Sequence, residues 1–121
     1  MVGARLGLPK QCRLLKPGEF TATMKQGARI RDDLFSVFSV VNQGGPGRIG
    51  ITVSRRVSLN AVIRNRIKRH VRESFRKNQD TLAGMDMVVI ANNKAAAASA
   101  DNIRAALGKI WEKTTRACKK S

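Results

Sequence analysis

Residues 48–77 read RIGITVSRRVSLNAVIRNRIKRHVRESFRK, and within them the spacing of the apolar side chains changes. From Arg48 to Ser54 the spacing is two. Ile49, Ile51 and Val53 are predicted to face a core, and Arg48, Gly50, Thr52 and Ser54 the opposite side, as in a strand. Gly50 has no side chain, so another surface can approach the backbone closely there. From about Leu59 to Lys77 the spacing becomes helical. At 100° per residue Ile63, Ile67, Val71 and Phe75 share one sector, with His70 and Ser74 at its edge. Arg66, Lys68, Arg69, Arg72, Arg76 and Lys77 cover the rest of the circumference. Arg64 falls inside the apolar sector, so its stem is expected to snorkel outward.

Downstream, Gly84 closes this unit. Asp86-Met87-Val88-Val89-Ile90-Ala91 is a nearly all-apolar run that predicts a strand buried on both faces. Asp86 is expected to cap a local backbone group. Strand, helix and strand in succession predict parallel neighbours joined by a helical crossover. Asn92-Asn93-Lys94 reads as a turn, and Ala95–Ala98 as a loop or a helix start. A last helix is predicted from Ser99 or Asp101 to Thr115, with Ser99 as N-cap and Ile103, Leu107, Ile110 and Trp111 buried.

Upstream, Leu34–Val41 is β-branched and aromatic and predicts a strand. Asn42–Gly47 carries three glycines and a proline and predicts the loop of a hairpin to the strand at Arg48. Asp32-Asp33 reads as turn chemistry, and Arg29-Ile30-Arg31 as a short extra strand or part of the loop. A first helix is predicted over Pro17–Gln26: Pro17 suits a first turn, Glu19 complements the positive end, and Gly27 is a natural stop. Phe20 and Met24 share a face of it. The order is α-β-β-β-α-β-α, a small α/β sandwich. We expect a single domain over residues 1–121, with a loose basic arm at 1–12 and a basic tail at 116–121.

Length and composition agree. A chain of 121 residues suits one core, and at this mass roughly two-thirds of the unfolded surface is buried on folding. Lys and Arg number 24 against 8 Asp and Glu, a net charge of +16. Such a self-repelling balance points to a polyanionic partner, nucleic acid first and an anionic membrane surface second. Aromatic residues make up 4%, with no Tyr, so base stacking cannot dominate binding. No apolar run is long enough for a transmembrane helix, and the N-terminus does not read as a signal peptide. Cys12 and Cys118 predict free thiols in a reducing cytoplasm, with a disulfide between them as the alternative.

Nine basic residues and one acid, Glu73, lie between Arg55 and Lys77, giving that segment +8. Guanidinium forks pair bidentately with phosphate oxygens, and Asn65 can bond a 2′-hydroxyl or a base edge. A balanced solvated face would not have this composition, and a membrane-bound helix would need the apolar stripe that the core requires. His70 and Glu73 sit three apart, but no second His and no carboxylate cluster accompanies them. The expectation is therefore no protein-borne catalytic residue and no protein metal site.

The run Arg64-Asn65-Arg66-x-Lys68-Arg69-x-x-Arg72-x-x-x-Arg76, with Ala61 upstream, resembles the signature of the protein subunit of bacterial ribonuclease P. Its flanks agree in Arg13-Leu14, Glu19-Phe20, Arg48–Arg56 and Met85–Ala91, so the resemblance covers about residues 10–115. It implies an α/β sandwich with a left-handed crossover. It also implies a holoenzyme that removes the 5′ leader of precursor tRNA, with the catalytic centre in an RNA subunit and magnesium ions held mainly by RNA. Arg64, Asn65, Arg66, Lys68, Arg69, Arg72 and Arg76 match the RNA-contacting motif, and Arg55 and Arg56 a basic pair beside it. Phe20 matches an aromatic position of a leader-binding cleft between the first helix and the sheet. Met24 stands where a second aromatic is common, and Thr52 and Ser54 face the same cleft. The implied partners are the catalytic RNA, one copy per protein, and precursor tRNA, with no membrane. The alternative is a structural RNA-binding protein, ribosomal or nucleoid, which would be indifferent to a leader. For Phe20 and Met24 the alternative is plain core packing.

Overall fold

The computed structural model describes residues 17–42 and 45–119, the last two by backbone alone. The arm at 1–12, Arg13-Leu14, Cys12 and the side chain of Cys118 lie outside the described residues. The elements are α1 (Pro17–Gln26), β1 (Ala28–Arg31), β2 (Phe35–Val41), β3 (Arg48–Thr52), α2 (Ala61–Lys77), α3 (Gln79–Leu82), β4 (Met85–Ala91), a 3-10 helix (Asn93–Ala97) and α4 (Ala100–Lys119). The sheet runs β1-β2-β4-β3. β3 and β4 are parallel across the α2 crossover, and β2 is antiparallel to both β1 and β4.

That order corrects one expectation. The loop 42–47 is no hairpin, because β4 lies between β2 and β3. A glycine-rich loop allows a tight reversal but does not choose between it and a crossing. Here it crosses the start of β4 and is tied there: Asn42 N donates to Gly84 O at 2.7 Å, and Gly84 N to Gly45 O at 2.9 Å. Gly84 sits at φ +82°, where a side chain would be strained.

β4 is central and covered on both faces, as its apolar run predicts. On one face Met85, Met87, Val89 and Ala91 join Phe35, Val37 and Ile49 under Ile67, Val71 and Phe75 of α2 and Ile103, Leu107, Ile110 and Trp111 of α4. Trp111 Nε1 donates to Ser74 Oγ at 2.7 Å, and the Trp111 ring meets Phe75 edge-on at 6.2 Å, which locks α4 to α2. The opposite face, with Arg48, Gly50, Val88 and Phe38 by register, carries α1.

Local signals mostly hold. Asp32 Oδ1 accepts from the amides of Leu34 and Phe35 at 2.7 and 2.8 Å. Ser99 Oγ accepts from Asn102 N at 3.1 Å. The long helix begins at Ala61 rather than Leu59, because Asn60 is its cap, accepting from Val62 N at 2.9 Å. α4 runs on past Thr115 to Lys119. Among the described residues Asp86 caps no backbone group. Its side chain pairs with Arg48 instead, as described below.

Candidate nucleic-acid interface

α2 presents its apolar stripe inward: Ile67, Val71 and Phe75 are fully buried. The opposite side is therefore turned to solvent, and Asn65, Arg66, Arg69 and Arg72 are exposed. Lys68 and Arg76 are half-buried at the flanks. Arg64 bends back as its angular position requires, and Nη1 donates to Ser58 O at 2.9 Å. Arg55 and Arg56 are exposed on the turn just before the helix. Its first turn carries no acid, and Arg76 and Lys77 occupy the last. Among the described residues the ion pairs lie elsewhere, at Arg48, Arg104 and Arg116. The cations of α2 are thus unneutralised and arrayed on a rigid rod, as a phosphate backbone demands. His70 is half-buried and Glu73 exposed. Among the described residues no three His, Cys, Asp or Glu side chains gather as metal ligands.

The second site lies across the sheet. The Phe20 ring rests on Gly50: a Cβ there would fall 2.8 Å from both Cε1 and Cε2 and nearer still to Cζ. Phe20 is therefore partly a packing residue, though half exposed, while Met24 on the next turn is 41% exposed. At its far end α1 descends on β2, where Gly27 approaches the Ser39 backbone. α1 thus runs across the strands, from above Gly50 on β3 to the Ser39 backbone on β2, with Thr52 and Ser54 exposed. By register the groove floor continues from Thr52 to Ile90, and from Gly50 through Val88 to Phe38. The Phe20 ring lies over Gly50 of the strand that also carries Thr52, and Ser54 follows two residues past the end of that strand. The Arg and Asn residues of α2 form a separate surface.

Three residues here escaped the sequence reading. Phe38 is half-buried on the groove face, with the Arg29 guanidinium 5.7 Å from its ring centre, a cation–π pair. The signal was parity: Phe35 and Phe38 lie three apart in one strand and must face opposite ways. The third is Arg48, read only as outward-facing. Its Nε and Nη2 donate to Asp86 Oδ1 and Oδ2 at 2.9 and 2.6 Å, and Nη1 to Glu19 Oε2 at 2.7 Å. Asn42 Nδ2 adds a bond to Asp86 Oδ1 at 3.1 Å. Burial pushes the Asp86 carboxyl up, but the Arg48 and Asn42 hydrogen bonds outweigh it and hold the group below its ordinary value. Hydrogen bonds to the two carboxylates raise Arg48, which stays charged.

Residues 8–115 match the family model described as Ribonuclease P. The chain is 37% identical over 117 residues to the ribonuclease P protein component of Photorhabdus laumondii, covering 97% of this chain and 98% of the relative. It is 40% identical over 114 residues to that of Yersinia enterocolitica, covering 93% and 94%. The solved RNase P protein of Staphylococcus aureus superposes with a TM-score of 0.78 at 30% identity, over 84% of this chain and 93% of that one. That of Thermotoga maritima gives 0.75 at 30%, over 84% and 96%. These likenesses do not favour a ribosomal or nucleoid protein.

Proposed function

The chain belongs to the ribonuclease P protein family, and on that premise we propose how its two faces share the work of the holoenzyme. It is the protein component of the ribonuclease P ribonucleoprotein, an endoribonuclease that processes tRNA, and its partner is the RNA subunit. In our reading Arg64, Asn65, Arg66, Lys68, Arg69, Arg72 and Arg76, with Arg55 and Arg56, grip that RNA, one copy per protein. The groove of Phe20, Met24, Thr52 and Ser54, extended by Phe38, receives the 5′ leader of precursor tRNA.

The observation that carries this is the separation of the two surfaces by the sheet. A simple charge neutraliser needs only the cationic rod of α2. The helix laid across the strands over a half-open sheet face leaves room for one extended strand. Its half-exposed aromatic and thioether side chains can pack on bases, and Thr52, Ser54 and Arg29 supply polar contacts. Unpaired bases in an extended strand have faces to offer, while a duplex would not fit.

The chain holds and orients; it does not cut. Magnesium, which supplies phosphoryl-transfer chemistry, belongs to the RNA in this reading, because the donors offered to the RNA are cationic and repel a metal ion. No helix of the described residues is long and apolar enough to cross a membrane, and we place the holoenzyme's work in the cytoplasm.

Reconstitution with the RNA subunit and precursor tRNA tests the reading. Adding the protein should raise cleavage at low magnesium, and more so for substrates with a leader of several nucleotides than for leaderless ones. Equal affinity for both would remove the leader from the assignment. Cleavage by the protein without RNA would overturn the reading altogether.

A further inference from the structure

Among the described residues, α1 buries little of its own surface. Thr23 is its buried residue, Met24 is 41% exposed, and the Phe20 ring rests on a glycine. A helix without a broad apolar stripe draws little position from burial. Against that, one ionic clip reaches from it into the sheet. Arg48 stands on edge strand β3 and uses all three guanidinium nitrogens, Nε and Nη2 on Asp86 of β4 and Nη1 on Glu19 of α1. The Asp86 side chain is 11% exposed, and Asn42 also holds it from the crossing loop, so the clip's base is fixed. Glu19 immediately precedes Phe20, so wherever Arg48 holds Glu19, the ring follows.

We infer that Arg48 is a positioning residue for the leader groove: held by Asp86, it fixes Glu19 and thereby the height and tilt of α1 above the sheet. Thr52 stands four residues further along the same strand, on the same face as Arg48. One rigid guanidinium thus sets the slot between helix and strand. Lysine is no substitute, because a single ammonium cannot span two carboxylates with the geometry of a planar fork. This inference rests on the reading of the groove as the leader site.

The experiment uses the reconstituted holoenzyme and measures substrate affinity with and without a leader of several nucleotides, for wild type, Glu19→Gln, Arg48→Lys and Phe20→Ala. Glu19→Gln leaves the Arg48–Asp86 pair in place, so folding is spared where Arg48→Ala could fail. The leader-dependent gain should fall about fivefold in Glu19→Gln, the scale of one charge-assisted hydrogen bond at a partly exposed site. It should fall at least as far in Arg48→Lys. Affinity for the RNA subunit and for leaderless substrate should stay at wild-type values, which a general loss of stability would not allow. A full leader-dependent gain in Glu19→Gln, with a loss in Phe20→Ala, would overturn the positioning role and leave the groove standing. No loss in any variant would overturn both.

Discussion

The Phe20 ring occupies the volume that a side chain at residue 50 would need, with Cε1 and Cε2 both 2.8 Å from the place of a Gly50 Cβ. The absence of one methyl group is therefore what allows α1 to lie on the sheet. Gly50→Ala should push the ring off and lift the helix. The expected cost is about 1–3 kcal/mol of stability, as for other overpacked sites, with a loss of leader-dependent affinity. Binding of the RNA subunit should persist, because α2 lies across the sheet. Chemical denaturation and paired affinity measurements check it, and an unchanged preference for leader-bearing substrate would contradict it.

Arg66, Arg69 and Arg72 are exposed and make no ion pair among the described residues. Replacing any of them with Ala should leave stability within about 0.5 kcal/mol, as for other surface positions. Each substitution should flatten the dependence of log K on log salt for the RNA subunit by about 0.7–0.9. Arg64→Ala should differ, losing stability as well, since Arg64 also bonds Ser58 O. A salt titration of affinity read beside thermal unfolding separates the two classes.

What could be read from sequence was whatever is periodic or local. The alternation over Arg48–Ser54 and the stripe Ile63, Ile67, Val71, Phe75 fixed β3, α2 and their inward faces, and the nearly all-apolar run at 86–91 the central position of β4. The Asp32 turn and the Ser99 cap are set by their own neighbours. What failed is non-local. The glycines of 42–47 announce a reversal but not whether the next strand lies adjacent, since that depends on β4, which arrives some forty residues later. Asp86 and Glu19 are far apart along the chain, so their common partner Arg48 left no local trace. Phe38 was within reach, by counting parity along β2 from the buried Phe35.

The bond from Trp111 Nε1 to Ser74 Oγ, 2.7 Å long, joins α4 to α2 on the side away from the cations. Ser74→Ala leaves the indole N–H of a buried ring without its partner and should cost about 1–3 kcal/mol. The melting temperature should fall by several degrees, while the salt slope for the RNA subunit stays as in wild type, because no charge is moved. A changed slope would mean that the seating of α2 on the core also sets its register on the RNA.

Asp86 gives the protein an acid-sensitive brace. Its folded carboxyl lies below its ordinary value of 3.8: burial raises it, and the Arg48 and Asn42 bonds more than offset that. The sign follows from linkage. The unfolded chain takes up this proton first as pH falls, so the stabilisation is present above that ordinary value and is lost as pH falls through the lower folded value. Asp86→Asn keeps the shape but not the charge, and at pH 7 should be less stable by about 1–3 kcal/mol. Glu19 faces the same guanidinium, so the informative quantity is wild type minus variant, not the wild-type curve alone. That difference, from denaturant melts at a series of pH values, should be constant from pH 7 to about 5 and shrink below about 4. A gap that persists undiminished well below that range would mean that Asp86 acts through its shape and its bond to Asn42, and not through its charge against Arg48.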